Sequence, residues 1–356
     1  MGAGCLAVLV ALIIGWPIST CLAAQAKSLS LPELALYKGK DRETILLEGA
    51  KKEGEVTFYT SNTWLAGYVS QEFGRKYPFI KTKVWRSDSK ELLKRLTDEA
   101  AAGRFIADVV ETSPDYMALL IAAKMFQEVF SPELGPYENS AKIKGKNGVF
   151  HWTSRELYIS LGFNTNLIPP TEAPKTMKDL LEPKYKGKMT IAGTTTGTQW
   201  IGAIMEAYGR EFLEKIARQD VNVQNISGAA LAELVASGEV PLSPTIFNSN
   251  ITVAKQKGAP VDWRPIDPVV ATTGTSGMVI KAPNPHAALL FLDFLHSKEG
   301  QEAVLKGGLS SARKDVASPD QKFKKVYIES KYSPEVMERK FAEWEGLKRR
   351  LFISRR

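Results

Sequence analysis

Short apolar runs alternate with amphipathic runs of helical period along most of this chain, and Gly, Pro or small polar residues separate them. "RETILLEGAKKEG" spaces its apolar residues as a helix does and stops at Gly54. "EVTFYT" then reads as a strand, and "LAGYVSQEFGRKY" as the helix that follows it. After Pro78 the pattern repeats: "IKTKVWR" as strand, "DSKELLKRLTDEAAAG" as helix, "ADVVET" as strand, "SPDYMALLIAAKMF" as helix. Strands alternating with helices at this spacing predict a doubly wound α/β sheet.

The rhythm breaks twice. "VFHWTSRELYISLGFNT" and "VDWRPIDPVVATTGTSGMVIKA" are long and extended, and between them lies a second strand–helix series. That series comprises a helix over "TEAPKTMKDLLEP", a strand "KMTIA", a long helix, "VNVQN", a helix through "GAALAELVASG", "VPLSPT" and a helix ending at Gly258. The two extended segments are read as crossovers between two lobes. The first lobe is expected to hold residues 28–153 and 271–315, and the second residues 154–270. Residues 316–356 form a charged helical segment able to pack on either lobe. At 356 residues, two lobes are also what chain length favours over a single core.

The loop "GTTTGTQW", Gly193 to Trp200, stands where a strand gives way to a helix. Two glycines allow close backbone approach and the threonines supply hydroxyl donors. Free N–H groups and the positive end of the helix dipole favour an anion at such a place. The loop is therefore read as an oxyanion receiver. A solvated helix cap is the plainer alternative. No Lys follows the second glycine, which argues against a nucleotide P-loop.

Composition narrows the classes. Hydrophobic residues make up 44% and charged residues 24%, as in ordinary globular chains. The formal charge of +8 is spread along the chain except for the tail "LKRRLFISRR". With no basic patch interleaved with aromatics, nucleic acid is not an expected partner. The first 26 residues carry no charged side chain, and the apolar run "CLAVLVALIIGWPI" is shorter than the roughly 20 residues of a membrane span. Residues 1–26 read as a signal peptide cut after Ala24 or Ala26, although the n-region lacks Lys and Arg. An uncut signal would leave the protein anchored. Cys5 and Cys21, the two cysteines, both lie in this segment. The exported chain then has neither disulfides nor cysteine-based chemistry, and the expected location is periplasmic.

Several segments together carry a resemblance: "AKKEGEVTFYTS", "FGRKYPFIKTKVWR", "LLKRLTDEAAAGRFIADVVETS", "LGFNTNLIPPTEAPKTMKDLLEPKYKGKMTIA", "LAELVASGEVPL" and "LDFLHSKEGQEAV". In this order they resemble the substrate-binding proteins of bacterial ABC importers, in the ferric-ion-binding-like branch of the type II periplasmic fold. The resemblance implies two lobes, each with a doubly wound mixed sheet, hinged by two strands and closing over a solute. It also implies a membrane permease as partner. Iron carriers of this branch use two adjacent tyrosines helped by a His and a Glu, and their loop matching "GTTTGTQW" holds an accompanying anion. In this chain the tyrosine positions fall at Asn248 and Ser249, the His position near Thr63 and the Glu position near Ser113. Hard ferric iron favours anionic oxygens, which these side chains do not supply. The iron label is not carried over, and neither a resident metal nor a cofactor is expected.

Ligands of doubly wound sheets bind beyond the carboxyl ends of the strands. The candidate ligand-binding residues are accordingly Ser61, Asn62 and Thr63 after the first strand, Arg86 and Ser87 after the second, and Thr112 and Ser113 after the third. The opposite wall offers Thr195, Thr196, Gly197, Thr198, Gln199 and Asn248, and the crossovers offer Arg155 and Thr273. Helix capping explains many of these equally well, and surface ion pairs do the same for Arg86 and Arg155. The expected function is the solute-binding component of an importer. It captures one small polar, anionic organic solute (a phosphonate, organic phosphate or carboxylate) as a monomer that does no chemistry. Two alternatives stay open: a carrier taking ferric iron through a chelate or a synergistic anion, and a periplasmic hydrolase. Against the hydrolase, "GTSG" at Gly274 lacks the spacing of a nucleophile elbow. His151, His286 and His296 show no metal spacing either.

Overall fold

The computed structural model describes residues 1–2, 29–316, 325–328, 331–332 and 334–354. The signal peptide read at residues 1–26 therefore lies almost wholly outside the described residues. Among the described residues no helix is long and apolar enough to cross a membrane.

The first series runs α1 (Leu31–Ala35), α2 (Arg42–Glu53), β1 (Glu55–Thr60), a π-turn at Leu65–Val69, α3 (Ser70–Lys76), β2 (Lys81–Arg86), α4 (Ser89–Ala101), β3 (Val109–Thr112) and α5 (Pro114–Ala122). Two short strands follow, β4 (Phe126–Gln127) and β5 (Lys142–Lys144), before the long β6 (Val149–Asn164). The second series is β7 (Thr190–Ala192), α6 (Thr195–Ala217), β8 (Asn222–Gln224), α7 (Gly228–Ser237), β9 (Leu242–Phe247), α8 (Asn248–Gln256) and β10 (Val261–Arg264). The chain returns through β11 (Val269–Val279), α9 (Pro285–His296) and α10 (Lys298–Lys306), and the C-terminal part adds β12 (Lys325–Val326) and α11 (Pro334–Lys348).

The first long extended segment is one strand, β6, whereas the second is two, β10 and β11, parted by residues 265–268. β6 and β11 pair antiparallel from Val270↔Ile159 to Ser276↔Trp152, with a register shift between Gly274 and Thr275. They carry one sheet, ordered β10-β6-β11-β3-β1-β2, through both halves of the molecule. On one side β2, β1 and β3 are parallel and β3 meets β11 antiparallel. On the other, β6 pairs antiparallel with β9 and β10, and β7 and β8 form a separate parallel pair.

Two main apolar cores flank the β6–β11 crossing. One gathers α2, β1, α3 and α9 around Phe58, Phe73 and Phe291. The other gathers β6, α6 and α11 around Phe163, Trp200 and Trp344. The C-terminal helix, which sequence allowed on either lobe, packs on α6, where the ring of Trp344 lies flat against Gly202.

The helix expected over "TEAPKTMKDLLEP" is instead two 3₁₀ turns, Met177–Leu181 and Pro183–Tyr185. Thr176 and Asp179 cap the first reciprocally. Pro183 then ends it, because the residue before a proline is pushed out of helical backbone. Glu182 accordingly sits at ψ 138°.

Two imidazoles are buried, one of them, His296, against Tyr137 and Trp152 of the first core. His151 and His296 are 6% and 0% exposed, and Nδ1 of each has no hydrogen-bond partner. Burial pushes His151 down to about 4 from the usual 6.5. Burial, with the Arg313 charge adding to it, pushes His296 well below its ordinary value. The unfolded chain binds protons at these rings from pH 6.5 downward, whereas folded His151 does so only near 4. Stability is therefore complete above pH 6.5 and falls as pH drops toward 4, by roughly 3 kcal/mol for His151. Urea unfolding at pH 7 and pH 5 should show this slope, and His151→Phe should reduce it, leaving the part that His296 contributes.

Candidate functional site

Strand register sets the floor of the cleft. At the C-terminal ends of the parallel strands, Thr60 stands opposite Arg86 on one side and Glu111 on the other. Glu111 in turn faces Ser276 of β11, and Gly274 of β11 faces Arg155 of β6. A cavity of about 300 Å³ opens above this row. It is lined by Ser61, Arg86, Asp88, Ser89 and Ser113 from the first side, and by Thr195, Thr196, Gln199 and Phe247 from the second. Arg155, Leu157, Thr272 and Thr273 of the crossing strands form its base.

Helix N-termini converge here. Asp88 caps α4 by accepting from Glu91 N at 2.9 Å, Ser113 precedes Pro114 of α5, and Thr194 precedes α6. Among the described residues, the backbone N–H groups of Thr194, Thr195 and Thr196 donate to no other group. Open donors at a helix start, with the dipole behind them, favour negative charge.

Two guanidinium groups add to that field. Arg155 is 6% exposed and donates from Nε to Oε1 of the fully buried Glu111 at 2.9 Å. Glu111 also accepts from Thr60 Oγ1 at 2.5 Å. The guanidinium is thus fixed at its Nε edge, which leaves its terminal nitrogens available to a two-pronged contact. Arg86 is exposed at the rim and makes no ion pair among the described residues. Phe247 and Leu157 supply the apolar part of the wall, against which a carbon skeleton can rest.

Of the residues singled out from sequence, Ser61, Arg86, Ser113, Arg155, Thr195, Thr196, Gln199 and Thr273 line this cavity. The other seven do not, each for a local reason. Asn62 turns its Oδ1 back to the N–H groups of Trp64 and Leu65. Thr63 is exposed outside the lining, and Ser87 extends the β1–β2 ladder by donating its N–H to Thr60 O. Thr112 is fully buried at the end of β3. Gly197 packs on β7, where a Cβ would come within 1.9 Å of the Ala192 carbonyl oxygen.

Thr198 is fully buried on the far face of α6, donating to Glu345 Oε2 at 2.5 Å and accepting from Lys348 Nζ at 2.9 Å. Asn248 is 2% exposed and fastens the hinge: its Oδ1 accepts from Tyr158 N and its Nδ2 donates to Gly308 O. Thr198 and Asn248, which the sequence reading gave to the ligand, thus stand outside the cavity lining with structural partners. Leu157 and Phe247 were missed, because an apolar residue on a strand carries no mark separating a cleft wall from a core. Asp88 and Ser89 directly follow the Arg86 and Ser87 expected at that strand exit.

Of the tryptophans near loop exits, Trp152 and Trp200 are buried in the cores, and Trp64 stacks on Tyr68 at 5.0 Å. Among the described residues no cluster of three His, Cys, Asp or Glu side chains is placed to hold a metal ion. Behind the hinge, a second cavity of about 480 Å³ contains side chains already engaged with one another. Glu156 there accepts from Tyr158, Lys325 and Tyr327 at 2.6–2.8 Å.

The family model of the bacterial extracellular solute-binding proteins matches residues 105–329. The chain belongs to this family. The solute-binding protein is also 27% identical over 278 residues to a Haemophilus influenzae protein described as uncharacterized, covering 73% of this chain and 78% of that one. Its fold is that of the two-lobed type II periplasmic binding proteins. Iron-bound HitA of Pseudomonas aeruginosa aligns with TM-score 0.63 and 21% identity over 83% of this chain and 99% of its own. AfuA of Actinobacillus pleuropneumoniae, solved with fructose-6-phosphate, aligns with TM-score 0.62 and 20% identity over 84% and 99%. At these identities the likeness concerns the fold. Membership of the family makes the protein an extracytoplasmic, solute-binding transport component, a role that is not normally catalytic.

Proposed function

We propose that this solute-binding protein captures a small anionic organic solute, such as a phosphonate, organic phosphate or carboxylate, in the cleft between its lobes and presents it to the permease of an ABC importer. The observation that carries the reading is that Thr195 and Thr196, whose backbone N–H groups donate to no other described group, line one cavity with Arg155 and Arg86. The anionic head sits between that loop and the Arg155 guanidinium, while Phe247 and Leu157 take the carbon part. The lobes, expected as 28–153 with 271–315 and as 154–270, close by flexing at β6 and β11. A solute that touches both walls only in the closed form shifts that equilibrium toward closure.

A thermal-shift panel of phosphonates, organic phosphates, carboxylates, polyamines and ferric citrate tests this. A bound solute at a hundredfold excess over Kd should stabilise the protein by about 2.7 kcal/mol. Stabilisation by polyamines alone overturns the reading, and stabilisation by ferric citrate but not free citrate moves it to chelated iron. With a hit in hand, Thr196→Val should weaken binding about fivefold to tenfold in calorimetry. Thr198→Val should leave affinity nearly unchanged and lower Tm, because it strips a partner from Glu345 and Lys348.

A further inference from the structure

The threonine loop is gripped from behind by a buried cation. Lys348, the last residue of α11, is 1% exposed. Its Nζ donates to the carbonyl oxygens of Gly193 and Thr194 and to Thr198 Oγ1, and it pairs with Glu345 at 2.8 Å. An ammonium beneath a helix N-terminus works against the helix dipole. Burying it costs more than burying an apolar side chain of the same length. Glu345 offsets part of that cost. Its own carboxyl, which burial would raise, is instead held below the usual range by the Lys348 and Thr198 hydrogen bonds.

What the arrangement provides is direction. In a trans peptide the C=O and the following N–H point opposite ways. The Gly193 carbonyl, held toward Lys348, therefore aims the Thr194 N–H away from it. The Thr194 carbonyl, shared between Lys348 and the N–H groups of Gly197 and Thr198 in the first turn of α6, does the same for Thr195, and Thr195 and Thr196 line the cleft. Lys348 lies beyond the residues 105–329 that match the family model.

We infer that Lys348 is a positioning residue of the solute site, holding the Gly193 and Thr194 carbonyls so that the loop presents its free N–H groups to an oxyanion it does not itself touch. The inference rests on the anion reading of the cleft. The test uses the full chain with inorganic phosphate as probe. It reads Kd by calorimetry, Tm, and amide chemical shifts of Thr195 and Thr196.

Wild-type protein should bind phosphate with shifts at both amides. Lys348→Met should bind about tenfold or more weakly. Lys348→Gln, whose amide still donates to one carbonyl, should fall between them, and it carries the test if Lys348→Met does not fold. Lowered Tm with one Kd across the variants overturns the inference alone and leaves the cleft reading intact. A wild-type protein that binds no phosphate overturns the oxyanion reading of the loop, and the inference with it.

Discussion

Arg155→Met is expected to reduce affinity for the anionic solute by about a hundredfold or more, since truncating one member of a buried, hydrogen-bonded charge pair costs roughly 2–5 kcal/mol of binding. The same change should destabilise the fold by about 3–5 kcal/mol, because it leaves the other charge buried without a counterion. Glu111, 0% exposed, would keep chiefly the Thr60 hydroxyl as partner. The two effects separate in the double variant Arg155→Met with Glu111→Gln. Removing the orphaned carboxylate should recover much of the stability in urea unfolding but none of the affinity in calorimetry. Unchanged affinity in the single variant would remove Arg155 from the site, whatever its effect on stability.

Trp344→Ala should lower stability by about 3–5 kcal/mol, the usual cost of emptying a large aromatic site. Trp344 is 1% exposed and its ring covers Gly202, where a Cβ would approach Cε3 to 2.5 Å. The helix face was left without a side chain at that point so that the indole can lie on the α6 backbone. Losing the indole should free α11 to early cleavage in limited proteolysis while the β6–β11 core keeps its protection. A protein that unfolds at the wild-type urea midpoint would mean that α11 contributes little to the second core.

Both expectations turn on contacts that no local pattern announces. Arg155 was visible in sequence as a cation on a crossover, and ligand grip and surface ion pair were equally good readings. The structure adds Glu111, forty-four positions away, and so makes Arg155 a buried, oriented group. Thr196 and Thr198 looked interchangeable within "GTTTGTQW", yet a helix turns about 200° in two residues. One therefore meets the cleft and the other meets α11. The cleft's apolar wall at Leu157 and Phe247 was illegible for a different reason. Alternation along a strand says that a side chain faces one layer, not whether that layer is packed or open.

The chain by itself determined the α/β rhythm, the two long crossing strands and the polar strand exits. These follow from short-range spacing: period two for strands, 3.6 for helices, and Gly, Pro or small hydroxyls where one gives way to the other. Tertiary structure decided which hydroxyls line the cavity, where the C-terminal helix lies and which cation sits beneath the loop. Those outcomes depend on the rotation of each helix about its axis and on partners dozens to more than a hundred residues distant. A one-dimensional pattern of apolar and polar positions does not encode that relation, and only the packed chain supplies it.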